Sequence, residues 1–211
     1  CAGFDRMLHD AAALLLEFNR HSMQRRQLRD EDLHCILGRS VNGAVRRYPA
    51  LAARFEQMGA QLRAALLGRE LPVVWLHGDF KLENIVFSRS RREPSAVIDW
   101  ELSRSTGLPG EDLLYLLLYA RALRSAAGGD VLTLFKSLQP DLLLQPQESK
   151  AVREHFEVLG MPTDLLRTIA GLAFLHHVGV RFSYPATDSD AMSTLDQVLR
   201  QELEDLARGG S

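Results

Sequence analysis

Lysine is almost missing from this chain. Only three stand among the 25 basic residues, at positions 81, 136 and 150, so none precedes residue 81. Cysteine is as scarce. Cys1 and Cys35 cannot build a disulfide framework, and two unpatterned thiols fit a reducing, cytoplasmic setting. No uncharged apolar run approaches the roughly 18 to 20 residues of a membrane span, and the start lacks the basic, hydrophobic and cleavage regions of a signal peptide. Nor is there an excess of one charge. The net value is −2 and the arginines are interspersed with acids, so neither nucleic acid nor an anionic membrane is expected as a partner. What is present, 46% hydrophobic residues over 211 positions, suffices for one substantial core, and no repeat or long linker divides it.

Against this background one constellation stands out. His77-Gly78-Asp79-Phe80-Lys81-Leu82-Glu83-Asn84, followed by Val97-Ile98-Asp99-Trp100-Glu101, sets Asp, Asn and Asp at relative positions 0, +5 and +20. A phosphoryl-transfer site needs one carboxylate to orient the attacking hydroxyl, and an amide and a second carboxylate to hold magnesium on the nucleotide phosphates. Asp79, Asn84 and Asp99 fit those roles. Val73 to Leu76, Ile85 to Phe87 and Ala96 to Ile98 are short apolar runs of the kind that form buried strands. The polar, proline-containing segment Ser88 to Ser95 reads as an exposed turn between the last two. A hairpin would therefore bring Asn84 and Asp99 together, with Asp79 on the loop before it.

These residues resemble the aminoglycoside phosphotransferase and choline kinase-like branch of the protein kinase-like fold, whose signature is His-x-Asp, four residues, Asn, then a strand ending in Ile-Asp-Trp or Ile-Asp-Phe. Protein kinases carry H-R-D-x-x-x-x-N and D-F-G instead. Gly78 replaces that Arg here and Trp100-Glu101 replace Phe-Gly, which favours the small-molecule branch. The resemblance implies Asp79 as catalytic base, Asn84 and Asp99 as magnesium ligands, and ATP as phosphate donor. It implies that His77 braces the loop, that Lys81 offsets charge on the transferred phosphoryl group, and that Asp112, at the start of the next helix, supports the catalytic loop. Asp112 follows Asp99 by only 13 positions and no A-P-E occurs, which leaves little room for a phosphorylated activation loop.

The implied fold is mostly α with a small β-hairpin region, an α+β arrangement, with residues 1–211 as the C-terminal catalytic and acceptor-binding lobe. An N-terminal lobe with a glycine-rich turn and a Lys–Glu pair has no counterpart upstream of His77. The 76 preceding residues read as helices over Asp10 to Met23, Asp30 to Arg46 and Ala50 to Gly68. Gly38 and Gly43 do not make a phosphate loop, because Ala44 and Val45 stand where such a loop needs Lys and Ser or Thr; they read as helix-breaking. The start at Cys1 agrees with a fragment, a processed chain or a domain of a longer protein, whose N-terminal lobe is then an expected partner of this one.

After Glu101 the pattern is helical: Glu111 to Ala127, apolar around most of its circumference, then Asp130 to Leu138, Gln147 to Leu159, Thr163 to Phe182 and Asp188 to Ala207. His176 and His177 lie about 100° apart on a helix and cannot readily chelate together; packed or surface histidines are the simpler reading. By family analogy one of them, Arg181 or Tyr184 is a candidate for contact with the acceptor. Two other function classes compete: a non-catalytic, pseudokinase-like binding or regulatory module, and a metal-dependent hydrolase using His77, Asp79 and Asp99, which leaves Asn84 unexplained. The sequence selects neither the hydroxylated acceptor, whether aminoglycoside-, choline- or sugar-like, nor ATP over GTP.

Overall fold

The computed structural model describes residues 2–88, 93–124, 131–137, 144–182, 184 and 187–209. Three helices open the chain: α1 (Ala2–Ser22), α2 (Asp30–Arg47) and α3 (Ala52–Leu66), the last entered through a 3-10 turn at Pro49–Leu51. They match the expected helices, but α1 begins earlier than Asp10. Acids fill the first turn of α2 and arginines its last, as the helix dipole favours, and the Asp32 carboxylate accepts the Arg29 N–H at 3.0 Å to close the first turn.

The two glycines do not break α2. It runs unbroken past Gly38 and Gly43, because Gly43 is needed for contact rather than for a turn. A methyl there would overlap the Gly179 carbonyl oxygen, and a methyl on Gly179 would overlap that of Ser40. The two backbones therefore cross without side chains between them.

Strand β1 (Gln24–Gln27), β2 (Glu70–Leu76) and β5 (Arg104–Gly107) form an antiparallel sheet in the order β1-β2-β5. Only β2, apolar and buried along most of its length, was legible in the sequence. The hairpin is β3 (Ile85–Phe87) against β4 (Pro94–Val97), with Ile85 opposite Val97 and Val86 opposite Ala96. It starts two residues earlier at β4 than the apolar run Ala96 to Ile98 suggested, because Pro94 takes an edge place opposite Phe87. Ser88 N–H donates to the Glu93 carbonyl at 2.8 Å where the expected turn begins; residues 89–92 lie outside the described ones.

Helix α4 (Glu111–Arg124) is central, with Leu113, Leu114, Tyr115, Leu116, Leu117 and Leu118 all buried against α1, α5 (Val131–Ser137), α6 (Pro146–Leu159) and α7 (Leu166–His176). Residues 125–127, expected to continue it, are outside the described set. The long helix expected from Thr163 to Phe182 is three pieces: a 3-10 turn (Thr163–Leu165), α7, and a π turn over His177–Arg181, where the Arg47 guanidinium donates to the Val178 and Phe182 carbonyls. Helix α8 (Ser189–Gly209) closes the lobe on α3 and α5. Helices dominate and the strands stay short, the mostly α form of an α+β fold. Among the described residues no helix is long and apolar enough to cross a membrane.

Candidate active site

The loop after β2 carries the site. Asp79 and Asn84 meet directly: the Asn84 amide donates to the Asp79 backbone carbonyl at 2.8 Å and to its carboxylate Oδ2 at 3.1 Å. Lys81 Nζ stands 2.8 Å from the same Oδ2. Burial lowers the Lys81 pKa, but the hydrogen bond and charge of Asp79 outweigh it, so the ammonium stays charged. On the hairpin, Ile98 N–H donates to the Asn84 carbonyl at 2.9 Å, which sets Asp99 beside Asn84. All three residues thus converge.

Asp99 adopts the left-handed conformation, φ 67°, ψ 57°, the one positive φ outside glycine among the described residues. Such a conformation costs of order 1–3 kcal/mol and recurs at functional sites. Its exposed carboxylate has no hydrogen bond or ion pair to a described residue, and the Asn84 Oδ1 is likewise uncommitted because its amide nitrogen serves Asp79. Two hard oxygen donors that no described residue claims suit magnesium, which keeps several waters and takes few protein ligands.

His77 links the two carboxylate-bearing loops, as a brace does. Its Nδ1 accepts the Asp79 N–H at 3.3 Å, so Nε2 carries the proton and donates to the Ile98 carbonyl at 2.8 Å. The ring is fully buried between Phe80 and Trp100. Both nitrogens are spent inside the protein, which rules His77 out as a metal ligand. Among the described residues no group of three or more His, Cys, Asp and Glu is placed to hold a metal.

Asp112, second residue of α4, accepts the N–H of His77 at 2.7 Å and that of Gly78 at 3.2 Å. Its carboxylate thereby ties the start of α4 to the loop after β2. Next to it Arg104 and Glu111 pair across β5 and α4; burial pushes the Glu111 carboxyl up while Arg104 pulls it down. Gly78 has φ +85°, and a methyl there would overlap the Leu102 carbonyl, in the turn that follows Asp99. This glycine lets the Asp79 loop and the Asp99 turn touch.

The residues suggested for acceptor contact are placed otherwise. His176, His177 and Tyr184 are buried, and the Arg181 side chain is only 3% exposed. Arg181 instead pairs with Asp112 at 3.2 Å and donates Nε to the Gly78 carbonyl. The available signal was a lone charge between Val178, Val180 and Phe182, a pattern that asks for a buried partner. Around Asp79 stand two tyrosines of α4: burial raises the Tyr115 hydroxyl pKa, with Asp79 adding to the rise, and burial likewise raises Tyr119, over whose ring Lys81 sits at 5.5 Å. Beside the site lie apolar side chains facing solvent, Val86 at 43% and Ile98 at 48% exposure; Trp75 and Trp100 are also exposed, at 54% and 40%.

Comparison with known proteins places the chain in a family. The sequence profile described as "Phosphotransferase enzyme family" matches residues 1–140, about two thirds of the chain. The chain belongs to that family. Among curated proteins it is 34% identical over 106 residues to mouse "Acyl-CoA dehydrogenase family member 11", covering 47% of this chain and 14% of that protein, and 36% identical over 85 residues to the rat counterpart, covering 38% and 11%. A chicken protein of the same name is 50% identical over 40 residues, 19% of this chain and 5% of that protein. The chain thus spans about one seventh or less of the length of these relatives. No solved structure matches.

Proposed function

We propose that this lobe transfers the γ-phosphate of ATP to a hydroxyl of a small molecule, with Asp79 as base and Asn84 and Asp99 holding magnesium. The observation that carries the reading is the convergence of Asp79, Asn84 and Asp99, with Asn84 bonded to Asp79 through its nitrogen while its oxygen and the Asp99 carboxylate remain uncommitted. Magnesium, when bound, neutralises phosphate charge and orients the phosphates. The Asp79 carboxylate receives the acceptor's O–H as a hydrogen bond, aims its oxygen at the phosphorus and takes the proton as transfer proceeds. Lys81, held at 2.8 Å from that carboxylate, sets positive charge beside the transferred group. Val86 and Ile98 offer an apolar floor for the nucleotide base next to the metal-binding residues.

The glycine turn and the Lys–Glu pair that complete such a site belong, on this reading, to an N-terminal lobe of the parent chain packed over Trp75, Val86, Ile98 and Trp100. The 211-residue chain alone is then expected to be inactive, in a cytoplasmic setting as elsewhere. The acceptor is aminoglycoside-, choline- or sugar-like. Because the mammalian relatives are named for acyl-CoA, hydroxylated acyl thioesters also belong in an acceptor panel. The test is magnesium-dependent phosphate transfer from ATP or GTP to that panel by the longest natural polypeptide carrying this chain. Transfer to any member, abolished in Asp79→Asn, supports the proposal; nucleotide binding without turnover favours the non-catalytic, pseudokinase-like module.

A further inference from the structure

His176 and Arg181 are buried polar side chains for which the phosphotransfer reading has no task. Both aim an N–H at one atom, the Gly78 carbonyl oxygen: His176 Nε2 at 3.2 Å, and Arg181 Nε. The Ser40 hydroxyl donates to His176 Nδ1 at 3.2 Å, which leaves the proton on Nε2 and fixes the direction of that bond. The Gly78 carbonyl and the Asp79 N–H belong to the same peptide plane, and that N–H is held by His77. Because a peptide is planar, clamping both of its ends sets the direction in which the Asp79 Cα leaves the loop.

Arg181 has a second hold. Its guanidinium lies 3.6 Å over the Tyr115 ring, and Tyr115 stands beside Asp79, whose charge adds to the burial that raises the Tyr115 hydroxyl pKa. A third contact, Nη2 to Asp112, secures the carboxylate that anchors the His77 and Gly78 N–H groups. Neutralising Asp112 needs only a cation. Reaching Asp112 and the Gly78 carbonyl while lying flat on Tyr115 needs a planar fork, which an ammonium head cannot reproduce.

We infer that Arg181 is a positioning residue for Asp79, gripping its backbone through the Gly78 peptide and bracing the Tyr115 ring that stands beside it. The inference rests on the phosphotransferase reading above. It is tested in the longest natural polypeptide that carries this chain, with the acceptor found in the panel. Arg181→Lys keeps the charge beside Asp112 and is expected to melt within a few degrees of the wild type, with KM for magnesium ATP changed less than about twofold. Its kcat should fall about 10- to 100-fold, the scale on which a misplacement of an ångström acts. Amide hydrogen exchange should quicken at Gly78 and Asp79 but not across α4. Wild-type kcat and wild-type exchange at those amides would reduce Arg181 to a counter-charge and overturn the inference.

If Arg181→Lys does not fold, the pair Arg181→Met with Asp112→Asn removes both buried charges together, and Asp112→Asn alone is its control. A kcat in the pair at or above that of the control overturns the inference; a further fall of about tenfold supports it. If the wild type shows no turnover, the phosphotransferase reading fails and the exchange measurement still decides the grip.

Discussion

Replacing Gly78 by alanine should damage stability and turnover together, since one atom would be pushed into the contact that holds two loops in register. The new methyl carbon would lie 2.7 Å from the Leu102 carbonyl carbon and closer still to its oxygen. Carbon atoms rest at about 3.5–4.0 Å, so the Asp79 loop and the Asp99 turn must separate by about 1 Å. The bonds from Gly78 N–H to Asp112, at 3.2 and 3.4 Å, and from His176 to the Gly78 carbonyl, at 3.2 Å, have no slack for such a shift. Each buried bond lost costs about 1–3 kcal/mol, and a side chain at positive φ about 1–2 kcal/mol more. A total of about 3–5 kcal/mol corresponds to a melting temperature lower by roughly 10 °C in a domain of this size. Calorimetry and magnesium-ATP turnover on the same preparation measure both effects, with kcat expected to drop about 100-fold. A variant that melts within about 2 °C of the wild type and keeps half its turnover would refute the reasoning.

Other perturbations separate the parts of the account. Asp99→Ala should abolish productive magnesium-nucleotide binding, while Asn84→Ala should weaken it and raise the magnesium requirement; magnesium titrations of activity show both, and unchanged dependence in the two would speak against the ligand assignment. Burial holds His155 at about 4 and His177 at about 3, below the ordinary 6.5. The unfolded chain therefore binds protons that the fold refuses, so the stability these neutral rings permit is complete above pH 6.5 and is lost as pH falls toward 4 and 3. Urea unfolding of His155→Gln should show an acid loss smaller by about 2 kcal/mol between pH 6.5 and 5 than the wild type. Gly43→Ala should cost about 3 kcal/mol by forcing α2 off the Gly179 carbonyl, read by urea unfolding, and a neutral substitution would mean that the two backbones do not touch.

The hairpin and its polar ends were legible because Ile85-Val86-Phe87 and Val97-Ile98 are apolar runs that stop abruptly at Asn84 and Asp99. The helices were legible from long stretches of Ala and Leu. Strands β1 and β5 were not, since Gln24-Arg25-Arg26-Gln27 and Arg104-Ser105-Thr106-Gly107 have no apolar alternation and are strands only because β2 lies between them. The run of α2 through Gly43 was misread for a similar reason. Its counterpart Gly179 is far along the chain, and local propensity cannot distinguish a glycine that breaks a helix from one that admits a neighbouring backbone. Arg181 stood among the candidates for acceptor contact by family analogy; its partner Asp112 lies 69 positions away, and a buried pairing over that distance leaves no periodic trace.

The central claim is that Asp79 orients an acceptor hydroxyl and removes its proton, and turnover by Asp79→Asn in the longest natural polypeptide carrying this chain tests it most directly. An amide of nearly the same shape preserves the packing and can still accept the Lys81 hydrogen bond, but it cannot take a proton. The account expects magnesium-dependent phosphate transfer to fall by a factor on the order of 100 or more, with melting temperature and nucleotide affinity little changed. Near-normal transfer by that variant would contradict it.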